Sequence, residues 1–188
     1  LESYRRALNL NPDYMEAYNN LGCTLADMDR IEEAISIYRE GIKKGSEFAE
    51  LYFNLGNALG ELDRLDEAVK AYQQSIAIDP QSAEVHFNLG WTLRDLGELD
   101  KAEELFKKAL SLNPKYLKAL NGLGQTLGDL DKPEEAKKYL ERSLEIDPDD
   151  LGTRHILAAL NGETPETAPR EYVEGLFDMY AKKFDRHL

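Results

Sequence analysis

The apolar positions of this chain fall on helical stripes that recur every 34 residues. In 83–116, His86, Leu89, Gly90 and Leu93 are three or four apart and share one helix face. The turn signal Gly97-Glu98 separates them from a second stripe of Leu99, Ala102, Phe106 and Ala109, and Pro114 closes the unit. One period earlier the same classes stand at Tyr52, Leu55, Gly56, Leu59, Ala68, Tyr72, Ser75 and Pro80. A further period back they are Tyr18, Leu21, Gly22, Leu25, Ala34, Tyr38 and Gly41, with Ser46 in place of the proline. One period forward they are Leu120, Leu123, Gly124, Leu127, Ala136, Leu140, Ser143 and Pro148. The pattern predicts helix pairs over 15–48, 49–82, 83–116 and 117–150. Half a pair precedes them in 1–14, where Tyr4, Ala7 and Pro12 match second-helix positions.

Each repeated position has a physical reason. Gly22, Gly56, Gly90 and Gly124 sit inside first helices, where glycine costs about 1 kcal/mol against alanine, so the facing helix is expected to cross closely there. Ala34, Ala68, Ala102 and Ala136 are the small facing residues, and Tyr38, Tyr72, Phe106 and Leu140 are expected to fill the space between one repeat and the next. The closing prolines cannot continue a helix. Gly45-Ser46 replaces that stop and is expected to loosen its joint, whereas Pro133 falls at a helix start, where its missing N–H does no harm. No single pair can bury its own apolar face, so neighbours must stack.

The period and the aromatic-Leu-Gly…Ala…aromatic…Pro pattern resemble the tetratricopeptide repeat. The resemblance implies an all-α, right-handed superhelical solenoid of helix-turn-helix repeats over 1–160, with a concave and a convex side. It also places the second, fifth, ninth, twelfth and thirteenth residues of each unit on the concave face, where partners bind. Among these are Glu16, Asn19 and Asp27; Glu50, Phe53, Asn57 and Glu61; Glu84, Phe87, Trp91, Arg94 and Asp95; and Lys118, Asn121, Gln125 and Asp129. Phe53, Phe87 and Trp91 stand amid mostly acidic neighbours, a pattern suited to a basic peptide with an apolar anchor. Asn20, Asn54 and Asn88 precede the repeated Leu-Gly and offer a ladder of amides to an extended backbone, although this asparagine is also common in repeats without such a ligand. The family's chaperone-binding clamp grips a carboxylate with paired lysines and arginines, whereas these positions are mostly acidic, with Arg94 and Lys118 as the bases.

Composition narrows the partners. Lys+Arg 23 against Asp+Glu 36 gives a net charge of −13, which argues against nucleic acid or an anionic membrane surface. A single cysteine, Cys23, leaves no internal disulfide framework and fits a reducing, cytoplasmic setting. No apolar run reaches the roughly 20 residues of a membrane span. The chain opens on Leu1 inside a repeat, so an upstream helix is expected.

Candidate chemistry is sparse. The acidic pairs Glu32-Glu33, Asp66-Glu67, Glu103-Glu104 and Glu134-Glu135 recur near the starts of second helices, where negative charge is favourable, and they read as helix starts rather than as acid–base pairs. His86, His155 and His187 share no ligand spacing, and His86 occupies an aromatic packing slot. Cys23 reads as a small packed residue. No catalytic residue and no metal site are expected, and no cofactor is expected in this chain.

After Pro148 the pattern changes. A helix is expected over 151–160, closed by Asn161-Gly162, then a linker over 161–169. An amphipathic helix over 170–188 follows, with Val173, Leu176, Phe177, Tyr180 and Phe184 as its stripe. It is expected to cap the open end of the solenoid, with a dimer through exchanged C-terminal helices as the alternative. The run Leu-Phe-Asp…Tyr-Ala…Phe-Asp-x-His-Leu at 176–178, 180–181 and 184–188 resembles the connector between tetratricopeptide repeats and a class I S-adenosylmethionine-dependent methyltransferase domain. That resemblance implies a catalytic domain after residue 188, S-adenosylmethionine as cofactor of the full-length protein, and a substrate-recruiting role for the repeats. A third option, the repeat region of a glycosyltransferase, shares the Asn-Leu-Gly ladder but not this C-terminal run.

Overall fold

A computed structural model of the chain describes residues 1–163, and among them every regular element is a helix. They are α1 (Glu2–Leu10), α2 (Met15–Asp27), α3 (Ile31–Lys44), α4 (Ala49–Glu61), α5 (Leu65–Ile78), α6 (Ala83–Asp95), α7 (Leu99–Leu112), α8 (Leu117–Asp129), α9 (Pro133–Ile146) and α10 (Leu151–Leu160). Each predicted pair is present: α2 with α3, α4 with α5, α6 with α7 and α8 with α9. The chain divides into two compact units, Leu1–Pro114 and a second that begins at Lys115. Residues 164–169 of the linker expected over 161–169, and all of the amphipathic helix expected over 170–188, lie outside the described residues.

Two turn types alternate, and both follow from local sequence. First helices end with one residue in the left-handed region: Asp29, Asp63, Gly97 and Asp131, at φ of 59°, 58°, 79° and 57°. The next N–H then bonds back to a carbonyl five residues earlier, as Arg64 does to Leu59 at 2.9 Å. Second helices end on an extended residue before the closing proline, because the proline ring clashes with a helical residue in front of it. Asn11, Asp79, Asn113 and Asp147 hold this place. Asn11, Asp79 and Asp147 also accept, through the side-chain oxygen, a bond from the N–H two residues on. Gly45 takes the same extended course before Ser46 but has no side chain to make that bond.

Within the first unit, α2, α4 and α6 pack against one another as an inner layer, and α3 and α5 each pack between successive inner helices. The core lies between the layers, where Leu21, Tyr38, Leu51, Leu59, Ala102 and Phe106 are almost wholly buried. The structure gives the repeated glycines a partner. A Cβ on Gly22 would lie 2.2 Å from the Tyr38 ring, one on Gly56 2.5 Å from Tyr72, and one on Gly90 3.0 Å from Phe106. The large residue therefore covers the glycine of its own repeat. In the second unit Leu140 covers Gly124 at 2.6 Å in the same way.

The acidic pairs need a correction in one repeat. Glu32-Glu33, Asp66-Glu67 and Glu134-Glu135 occupy first turns. In α7 the first-turn acid is Asp100, whereas Glu103 lies a turn later, nearly buried and paired with Lys107. Arg30 holds Glu33 below the usual carboxylate range by a hydrogen bond, and Arg64 does the same for Glu67. Carboxylates held ionised in this way serve the helix starts.

Candidate recognition face

The inner layer of the first unit gathers Glu16, Asn19, Asp27, Glu50, Phe53, Asn57, Glu61, Glu84, Phe87, Trp91, Arg94 and Asp95 on α2, α4 and α6. Glu16, Asp27, Glu50, Glu61, Glu84 and Asp95 are exposed, while the amides and aromatic rings among them are half-buried. Asn20 is exposed on α2. Lys118, Asn121, Gln125 and Asp129 stand at the same repeat positions on α8, in the second unit.

The asparagine ladder has partners inside the fold. Asn54 donates through Nδ2 to Asn19 Oδ1 at 2.8 Å and to Cys23 Sγ at 3.5 Å. Cys23 Sγ also accepts from the Tyr38 hydroxyl at 3.5 Å. One repeat on, Asn88 Nδ2 and the Tyr72 hydroxyl both donate to Asn57 Oδ1 at 2.8 Å. A three-part motif thus recurs: the ninth residue of a repeat accepts from the tyrosine of its own second helix and from the asparagine of the next repeat. The ladder is an inter-repeat tie. Even so, among the described residues no hydrogen bond uses Oδ1 of Asn54 or Asn88, or Nδ2 of Asn19 or Asn57, so each amide keeps one half available there.

Burial pushes the Tyr38 phenol well up, helped by the hydrogen bond to Cys23 and by the charges of Asp27 and Glu61. Burial likewise raises Tyr72, with Glu61 and Glu84 adding to it against the amide of Asn88. Both hydroxyls therefore stay protonated as donors, and the acidic rim reaches the centre of the face.

In the third repeat the motif turns apolar. Its ninth residue is Trp91 and its second-helix aromatic is Phe106, which has no hydroxyl. Phe87 packs against both, with ring centroids 6.2 Å from Trp91 and 5.7 Å from Phe106. Arg94 lies over the Trp91 ring, 5.3 Å from its centroid, so this anchor already carries a cation on one face. Phe53 packs 6.2 Å from Tyr72. His86 is buried with Nδ1 2.8 Å from the Ser82 carbonyl, so it serves packing and helix entry, as its slot predicts.

In the second unit Asn121 has a different task. Its Nδ2 donates to Asp150 Oδ2 at 2.9 Å, and Asp150 caps α10 by accepting from the N–H groups of Gly152 and Thr153 and from the Thr153 hydroxyl. Burial alone would raise the Asp150 carboxyl, but these bonds from Thr153, Asn121 and Gly152 outweigh it and hold the group below its ordinary value. Sequence reading treats the tyrosines as fillers and passes over Thr153. The signal for the first is that Tyr38 and Tyr72 keep a hydroxyl where Phe106 does not.

Stacked helix pairs with a polar and aromatic inner face define a repeat scaffold for protein recognition. More particularly, the chain is built of tetratricopeptide repeats. Tetratricopeptide repeat models match residues 47–115, 93–160 and 16–43, and a TPR repeat model matches 1–29. The crystal structure of MamA is similar at 28% identity over 80% of this chain and 88% of that one, with a TM-score of 0.73. The fold also matches YrrB, described as a TPR protein with an unusual peptide-binding site, at 20% identity over 97% of this chain and 91% of that one, TM-score 0.77. The first TPR of Spaghetti (RPAP3), bound to the HSP90 peptide SRMEEVD, matches at 29% identity over 61% of this chain and 90% of that one, TM-score 0.60. No curated protein matches the chain. Among the described residues no helix is long and apolar enough to cross a membrane, and no group of three or more His, Cys, Asp or Glu could hold a metal ion.

Proposed function

We propose that the inner face of α2, α4 and α6 binds an extended, basic peptide segment of a partner protein. One observation carries the reading: among the described residues four half-buried amides, on Asn19, Asn54, Asn57 and Asn88, each retain one unused hydrogen-bonding group, on the same layer as the Phe87–Trp91 pair. Amides held rigid by their other half can meet a peptide backbone at little ordering cost. Phe87 and Trp91 supply an apolar anchor, and Glu16, Asp27, Glu50, Glu61, Glu84 and Asp95 favour Lys or Arg around it. The peptide held by the RPAP3 repeat supports the mode of binding. Its acidic sequence would meet repulsion on this rim, so the charge preference is expected to be the reverse. Asn121 stands in the second unit and its unused Oδ1 is buried, so the proposed face is that of the first unit alone.

Selection of peptides from a random library against the 188-residue chain tests this reading. Selected sequences should carry two or more Lys or Arg around an apolar residue. Acidic or composition-neutral selection would contradict it. The sequence resemblance of 158–188 leaves a finer version, in which the same face recruits a substrate for a following methyltransferase domain. Titrating S-adenosylmethionine into this chain and into the full-length protein tests it. Binding by neither, or by this chain alone, would contradict it.

A further inference from the structure

A cleft of about 390 Å³ opens in the first unit where the start of α4, the end of α5 and the start of α6 meet. That volume lies within the ~300–1,000 Å³ usual for ligand sites. Phe48 and Phe53 form apolar walls, Glu47, Glu50, Asp79 and Glu84 line the cleft, and no lysine or arginine does. Some carboxylates of the outer helices have cations beside them: Glu33 has Arg30, Glu67 has Arg39 and Arg64, and Glu134 has Lys137. In the cleft, the carboxylates of Glu47, Glu50 and Glu84 make neither an ion pair nor a hydrogen bond among the described residues. Asp79 accepts only the N–H of Gln81.

We propose that this cleft takes one arginine side chain of the partner peptide, its stem along Phe48 and Phe53 and its guanidinium among the four carboxylates. The proposal rests on the peptide-binding reading above and names its specificity subsite. An aromatic wall beside several unpaired carboxylates suits arginine better than lysine, because the planar guanidinium stacks on rings and presents a fork of donors to carboxylates. Lysine offers a compact, strongly hydrated charge that gains less from the rings.

The test is an NMR titration of the 188-residue chain with N-acetyl-argininamide, N-acetyl-lysinamide and the neutral isostere N-acetyl-citrullinamide. The arginine probe should give saturable shifts confined to amides of 47–53 and 78–85, with lysine weaker and citrulline without effect. The double change Glu47→Gln and Glu84→Gln should weaken the arginine probe at least about fivefold. Shifts spread over the acidic surface, equal response to citrulline, lysine binding as tight as arginine, or insensitivity to the double change would each overturn the proposal. Peptides selected on the chain separate this from the wider reading. A peptide that loses affinity on Phe87→Ala yet keeps it on Glu47→Gln/Glu84→Gln overturns the arginine cleft and leaves the face standing. Arginine binding in the cleft, with selected peptides indifferent to Phe87→Ala, supports the cleft and sinks the wider face.

Discussion

At the scale of single residues, the helix glycines separate propensity from packing. Gly56 and Gly60 lie one turn apart on α4 and carry the same intrinsic helix penalty of about 1 kcal/mol. A Cβ on Gly60 meets nothing within 4 Å, whereas one on Gly56 would lie 2.5 Å from the Tyr72 ring. Gly60→Ala should therefore stabilise by about 1 kcal/mol. Gly56→Ala should destabilise by about 1–3 kcal/mol, the usual cost of overpacking. Urea unfolding checks both signs. Ser75 and Ser143 offer a second opposed pair. Ser75 Oγ donates to the Ala49 carbonyl at 3.0 Å, while Ser143 Oγ is buried without a hydrogen bond at a place held by Gly41 and Ala109 in other repeats. Ser75→Ala should cost about 1 kcal/mol, and Ser143→Ala should gain about as much by removing an unmet polar group. Like signs for the two would contradict this account of the position.

At the scale of elements, Asp150 ties α10 to α8. Removing a helix-capping side chain costs about 0.5–2 kcal/mol, so Asp150→Ala should lower stability by that much at pH 7. The pH dependence has a definite sign. The folded carboxyl is held below its ordinary value of 3.8, so its contribution is complete above about pH 4 and disappears as pH falls through the folded value. Unfolding of the parent and Asp150→Ala at pH 7 and pH 3 should show the gap closing in acid; a gap that widens would contradict the assignment. Element order and most helix ends were legible because the period, the closing prolines and the Gly97-Glu98 turn are local signals; the left-handed aspartates Asp29, Asp63 and Asp131 carry the same turn without a glycine to mark it. The pair Glu103-Glu104 was misplaced because a run of acids does not reveal its register; Asp100, one helix turn earlier, holds the first turn. The Asn-Leu-Gly ladder was visible, but its partners were not. Asn54 meets Asn19 at a separation of 35 residues, a pairing fixed by how neighbouring repeats stack. Side-chain spacing within one repeat carries no trace of it.

At the scale of the molecule, the excess of acid, −13 in 188 residues, biases it toward basic partners. Under the proposed function the rim acids should steer and select, and the aromatic centre should hold most of the affinity. Calorimetry with one selected basic peptide tests this division directly. Phe87→Ala should weaken binding by 2 kcal/mol or more, about thirtyfold, as expected of a central aromatic anchor. Lys70→Ala, on the exposed side of α5, should leave it unchanged within about 0.5 kcal/mol. Peptide affinity that survives Phe87→Ala but falls with Lys70→Ala would place recognition on the outer helices and contradict the inner-face account.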